Sequence, residues 1–163
     1  MQTVPDTAKP SVEWQWKRFD GLSPAELYAV LAARTAVFVV EQRCAFQDAD
    51  GFDAFAWHLM GWTGSEHGRT LCAYLRLIEP GRKYLEPSIG RVLTTGSYRS
   101  LGLGREAMRE GLERATALYP RLPVRIAAQQ RLERFYVEMG FRVASAPYEE
   151  DGILHLEMVR EAS

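Results

Sequence analysis

Cysteine is scarce in this chain of 163 residues: there are two, Cys44 and Cys72. Two cysteines make no disulfide framework and no zinc ligand set, so both read as small apolar residues in a reducing compartment. Histidine is nearly as rare, at three residues. Asp48, Asp50 and Asp53 miss the spacing of a calcium loop, because the glycine and the closing glutamate are misplaced. No metal is expected. Charge of one sign is missing too. Lys plus Arg number 20 against 21 Asp plus Glu, a formal net charge of -1, so no global field draws the chain to nucleic acid or an anionic membrane. No apolar run is long enough to span a bilayer, and the opening MQTVPDTAKPSVEW has no apolar signal core. A cytoplasmic protein without nucleic-acid or membrane partners is the expectation.

What is present is an ordinary globular composition, 47% hydrophobic and 25% charged. Residues 1–11 mix Pro, Thr and Lys without period and read as a flexible tail. Residues 12–163 read as one domain without internal repeats. Alternation in residues 12–19 predicts a strand. Ser23, Pro24 and Glu26 supply the cap, first-turn proline and capping-box carboxylate of a helix running to Phe38, with Leu27, Leu31 and Phe38 along its apolar side. The polar, aromatic stretch 41–55 reads as a loop with at most a helical turn. Strands are expected at 56–62, 70–80 and 88–95. A second helix carries Ala107, Met108, Gly111, Leu112, Ala115 and Leu118 at helical spacing. After a short buried strand at 123–129, Leu132, Phe135, Tyr136 and Met139 mark a third helix, closed by Gly140. Two strands, 141–148 and 153–159, flank the turn EEDG. The order β-α-β-β-β-α-β-α-β-β has adjacent strands in its middle, which argues for an α+β fold with a mixed sheet.

The stretch SYRSLGLGREAM (97–108) sets Arg99, Gly102 and Gly104 directly before the second helix. Glycines let a ligand approach the backbone, and a helix start attracts anions, so a phosphate group is the candidate guest. It is no P-loop, since no Lys-Ser or Lys-Thr follows, and a dinucleotide fingerprint belongs after the first strand, not the fourth. A serine hydrolase would need a Gly-x-Ser-x-Gly elbow, which is missing.

Five segments in order, RTAVFVVEQRCAFQDADGFD, IGRV, YRSLGLG, AAQQRLERFY-x-x-x-GF and EDGILHLEM, make the chain resemble the GNAT N-acetyltransferase superfamily. Within it the chain is similar to the ElaA-like group, from about residue 13 onward. The resemblance implies the acyl-CoA N-acyltransferase fold: a mixed, mostly antiparallel, splayed sheet flanked by helices. It implies acetyl-CoA as cofactor. The pyrophosphate would lie over Arg99, Ser100, Leu101, Gly102, Leu103, Gly104 and Arg105, the pantetheine arm along Val92, Leu93 and Thr94, and Phe135 and Tyr136 nearby. A backbone N–H near Leu93 would polarise the thioester carbonyl as an amine attacks.

The proton donor to the departing thiolate, by the same resemblance, is Tyr136; a phenol that packs in the core is the alternative. The base stays open. Glu41 follows an apolar run where burial would raise its pKa. His155 lies on a strand and shares a face with Glu157. Asp50, Asp53 and His58 are candidates for the acceptor pocket, where the carboxylates would suit a cationic amine; a solvated loop and a satisfied core histidine are the alternatives. The acceptor is expected to be an amine of a small molecule or protein, and the chain a monomer or homodimer. Two other readings remain: an acyl-homoserine-lactone synthase, suggested by Arg34, Val37, Phe38, Asp50 and Asp53, and a non-catalytic CoA-binding module.

Overall fold

A computed structural model describes residues 9–65 and 67–163. Most of the expected tail, residues 1–8, lies outside the described residues, as does Glu66 in the turn after the second strand. Of the tail's described end, Lys9 pairs with Glu106, and Val12 packs against the core.

The strands are β1 (Glu13–Arg18), β2 (Ala56–Thr63), β3 (Thr70–Ile78), β4 (Ser88–Thr94), β5 (Val124–Gln129), β6 (Arg142–Val143), β7 (Tyr148–Glu150) and β8 (Ile153–Arg160). The helices are α1 (Pro24–Arg34), α2 (Leu103–Leu118) and α3 (Glu133–Glu138). One sheet runs β1-β2-β3-β4-β5-β8-β6, with β7 also on β8. Every pairing is antiparallel except β4 with β5, which meet in parallel at Ser88 and Arg125. Beyond that single bridge β4 and β5 part, and the sheet splays open.

Local chemistry accounts for the elements. Ser23 Oγ accepts the Glu26 N–H at 3.1 Å and Glu26 returns a bond to the Ser23 N–H at 3.0 Å, closing the capping box ahead of Pro24. Beyond Arg34, residues Thr35–Glu41 continue as a π-helical turn, which rotates Val37 and Phe38 relative to a regular helix. The buried stripe of α1 is Glu26, Val30 and Arg34, not the expected Leu27 and Leu31, which are half-buried. The charged pair Glu26–Lys17 and the buried guanidinium of Arg34 draw that face inward.

α2 packs on one side of the sheet through Leu103, Ala107, Met108, Leu112 and Ala115, against Leu59, Leu75 and Leu77. At Gly111 an added Cβ would sit 2.9 Å from Leu75 Cδ2, so glycine sets how closely α2 approaches β3. α1 covers the other side, where Val30 meets Met60, Tyr74 and Leu93. Gly140, at φ +93°, ends α3 in a Schellman arrangement, with Phe141 N–H on Tyr136 O and Gly140 N–H on Val137 O, each at 3.0 Å. The strand expected over 141–148 is broken into β6 and β7. Pro147 has no N–H for the ladder, and Ser145 Oγ takes the Glu157 N–H at 2.9 Å in place of a backbone partner.

Candidate active site

The splay between β4 and β5 opens a cleft of about 850 Å³. β4 forms one wall. Its register against β3 runs from Arg76↔Gly90 to Tyr74↔Leu93, so β4 carries one residue more than β3 and bulges at Arg91–Val92. Arg91 sits at φ +52°, a left-handed conformation that costs a side-chain-bearing residue about 1–2 kcal/mol. Between Gly90 and Thr94, alternate residues turn their N–H and C=O away from β3 into the gap. These groups form an open strand edge facing the cleft, ready to pair with an extended ligand.

The mouth of α2 lies just beyond β4. Gly102, at φ +78°, is the N-cap, and it has no side chain to offer. The first intrahelical donor is Glu106 N–H, on Gly102 O at 3.1 Å. The N–H groups of Leu103, Gly104 and Arg105 therefore point out of the helix end, where its dipole favours an anion. At Gly104 an added Cβ would meet nothing nearer than Thr94 Cγ2, at 3.9 Å. Packing alone does not ask for glycine there, and the space beside the helix end is open. The open edge, the bare helix end and the Gly104 gap fit the pantetheine arm and pyrophosphate of CoA.

Tyr136 reaches the cleft from α3 and is 7% exposed, its ring edge-on to Phe135 and Phe141. Burial pushes its phenol up to about 12, opposed by Arg131. Among the described residues the hydroxyl has no hydrogen-bond partner. His155 lines the cleft on β8, stacked on Tyr148, and donates Nδ1–H to Ile153 O at 2.7 Å. That bond sets the tautomer and leaves Nε2 as an acceptor. Glu157 bonds Arg125 at 3.0 Å and does not join His155.

Three expectations change here. Glu41 lines the cleft, but its side chain is 41% exposed and pairs with Arg99, because the π-helical turn carries it to the rim. The burial invoked to make it a base is absent. Asp50 and Asp53 do not offer free negative charge. They belong to a closed ring of alternating charges: Arg34–Asp48 2.9 Å, Asp48–Arg91 2.8 Å, Arg91–Asp50 3.3 Å, Asp50–Arg76 2.5 Å, Arg76–Asp53 2.9 Å and Asp53–Arg34 2.6 Å. Arg34 and Arg76 are fully buried within it. Burial raises the Asp50 and Asp53 carboxyls, but the bonds to Arg76 and Arg34 outweigh it and hold both well below the usual carboxylate range. Asp50 still borders the cleft; Asp53 does not. His58 is also removed from the cleft. It is wholly buried, with Tyr74 O–H donating to Nδ1 at 2.7 Å and Nε2–H donating to Asp53 O at 3.0 Å. It is a satisfied core histidine.

Of the other expected residues, Val92, Leu93, Thr94 and Arg99 line the cleft. Ser100–Arg105 follow outside that lining, with Arg105 paired to Glu138 at 2.7 Å and over the Phe135 ring. Sequence reasoning missed Phe46, Phe52, Arg76, Lys83 and Arg91 on the cleft wall. One signal was present: Arg76 is a lone charge inside the apolar run TLCAYLRLI, which demands a buried anion. Among the described residues no group of three or more His, Cys, Asp or Glu is placed to hold a metal, and no helix is long and apolar enough to cross a membrane.

The sequence model of the acetyltransferase (GNAT) domain matches residues 66–162. ElaA of Escherichia coli is 40% identical over 152 residues, 92% of this chain and 97% of that protein. The ElaA crystal structure superimposes with a TM-score of 0.85 at 38% identity, covering 93% of this chain and 100% of ElaA. The crystal structure of an acyl-CoA N-acyltransferase from Pseudomonas aeruginosa also gives 0.85, at 40% identity, covering 92% and 99%. This chain belongs to the GNAT acetyltransferase family, with the acyl-CoA N-acyltransferase fold, and ElaA is among its homologues.

Proposed function

We propose that this protein is an acetyl-CoA-dependent N-acetyltransferase that passes the acetyl group to an amine of a small molecule or protein by direct attack on the thioester. The observation that carries the reading is the open, bulged edge of β4 ending beside the bare N-terminus of α2. Acetyl-CoA supplies an activated acyl group. The N–H groups of residues 103–105 hold the pyrophosphate, and Arg99 adds positive charge once it releases Glu41. Val92, Leu93 and Thr94 pair with the pantetheine arm, and a backbone N–H at the bulge polarises the thioester carbonyl.

The attacking amine must be neutral. His155 Nε2 is the base that the geometry favours, directly or through water; Glu41 is too exposed and too well paired to compete. At the departing sulfur Tyr136 is the donor. Its phenol, pushed up to about 12 by burial, stays protonated at neutral pH and gives up its proton less readily than an ordinary phenol. Tyr136 therefore acts chiefly as a hydrogen-bond donor to the developing thiolate. Residues 12–163 form the one catalytic domain. Calorimetry with acetyl-CoA, followed by thiol release against a panel of amines, tests the reading. No binding of acetyl-CoA, or binding with no thiol release for any amine, would refute it.

A further inference from the structure

Three arginines and three aspartates close the ring Arg34–Asp48–Arg91–Asp50–Arg76–Asp53, and its members come from α1, the loop before β2, β3 and β4. Mere attachment of that loop would need fewer ions. A ring that couples two wholly buried guanidiniums to a third is costly to desolvate and repays that cost only with every partner in place. Its position suggests what the arrangement holds. Arg91 is both a ring member and the residue in the left-handed conformation at the bulge of β4. Such strained residues persist where their surroundings over-determine them. Arg91 is over-determined: Nε donates to Asp48 Oδ1 at 2.8 Å, Nη2 to Asp48 O at 3.0 Å and to Asp50 Oδ2 at 3.3 Å, and the guanidinium lies over the Phe46 ring at 5.4 Å. Asp48 and Asp50 are anchored in turn by Arg34 and Arg76.

We propose that this ring is a positioning device: by gripping the Arg91 side chain from the loop, it fixes the β4 bulge and so the direction in which the Val92 N–H, turned away from β3, enters the cleft. Arg91, Asp48 and Asp50 are positioning residues that act through the β4 backbone, although Arg91 and Asp50 also border the cleft. The proposal rests on the acetyl-CoA reading above, because it gives that N–H the thioester carbonyl to meet. Neutrality of the ring is part of the design. Three cations balanced by three anions lock the bulge without leaving net charge beside an incoming amine.

The test uses the intact chain and its Arg91→Met and Arg91→Lys variants. Lysine keeps the charge but, as a single point donor, cannot bridge two carboxylates as guanidinium does. NMR of the ligand-free protein reads the bulge through cross-strand NOEs: those that seat Leu93 opposite Tyr74 should weaken in Arg91→Met and, by less, in Arg91→Lys. Acetyl-CoA titration should shift the Val92 amide strongly in wild type and weakly in the variants. With the best amine, kcat should fall at least tenfold in Arg91→Met while the acetyl-CoA Kd changes less than threefold, with Arg91→Lys in between. If Arg91→Met does not fold, Arg91→Lys carries the comparison. Cross-strand NOEs at Leu93 that are unchanged in the ligand-free variant, or variant kcat within threefold of wild type, overturn the positioning role alone. A wild-type Val92 amide that ignores acetyl-CoA overturns the cofactor reading itself, and this inference with it.

Discussion

Replacing Tyr136 by Phe removes one oxygen from the cleft wall and nothing else. The ring is 7% exposed and sits edge-on between Phe135, with centroids at 5.1 Å, and Phe141, at 5.9 Å, so its packing passes unchanged to phenylalanine. The hydroxyl has no partner among the described residues, so its loss strands no buried donor or acceptor, and stability should change by less than about 1 kcal/mol. Catalysis should respond differently. A hydrogen bond to a charged acceptor contributes about 1.5–3 kcal/mol, which at about 1.4 kcal/mol per decade is a fall in kcat of roughly 10- to 100-fold. Thiol release at saturating acetyl-CoA measures it, calorimetry supplies Kd and thermal melting supplies stability. The pH profile adds a second constraint. A phenol pushed up to about 12 stays protonated through pH 10, so the wild-type rate should show no alkaline fall from Tyr136 in that range. The Phe variant should run parallel and lower. A variant within threefold of wild type would make Tyr136 a packing residue, and one that loses a limb of the profile below pH 10 would mean that the phenol titrates there and is not held near 12.

Gly104→Val should weaken acetyl-CoA binding at least tenfold, about 1.4 kcal/mol, while the fold survives, because the new Cβ meets no protein atom nearer than 3.9 Å; unchanged affinity by calorimetry would remove the pyrophosphate from α2. Asp53→Asn leaves the buried Arg34 and Arg76 short of a charge they both bind, and should cost about 3 kcal/mol in urea unfolding; a loss below about 1 kcal/mol would mean the ring tolerates a gap. His58 has its pKa lowered by burial first, with Arg34 and Arg76 adding to this and Asp53 opposing it; Tyr74 and Phe19 complete its surroundings. The unfolded chain then takes up a proton near pH 6.5 that the folded protein refuses, so stability should fall as pH drops below about 6.5, approaching 1.4 kcal/mol per unit. Urea midpoints that stay flat between pH 7.5 and 5.5 would contradict this.

Much of the protein is legible along the chain because the causes are local. Ser23, Pro24 and Glu26 cap α1 whatever lies around them, and Gly140 ends α3 through its own positive φ. The arginine–glycine stretch before α2 and the order of elements needed no tertiary information, since a helix start and hydrophobic periodicity are written within a few residues. Side-chain environment is another matter. Glu41 followed an apolar run and was expected to be buried, yet the π-helical turn carries it to the rim and into a pair with Arg99. Asp50 and Asp53 read as loop carboxylates free to meet a cation. Their partners Arg76 and Arg91 stand 26 and 41 positions from Asp50, and only the β3–β4 pairing brings both guanidiniums to one place. The bulge at Arg91 is invisible in sequence for the same reason: register is a relation between two strands, and one residue of slip changes every neighbour downstream. The sequence by itself determined the order of the main elements, the caps of α1 and α3, and the family. Tertiary structure alone decided which charges are spent on each other and which backbone groups open onto the cleft, because electrostatic pairing acts through space and not along the chain.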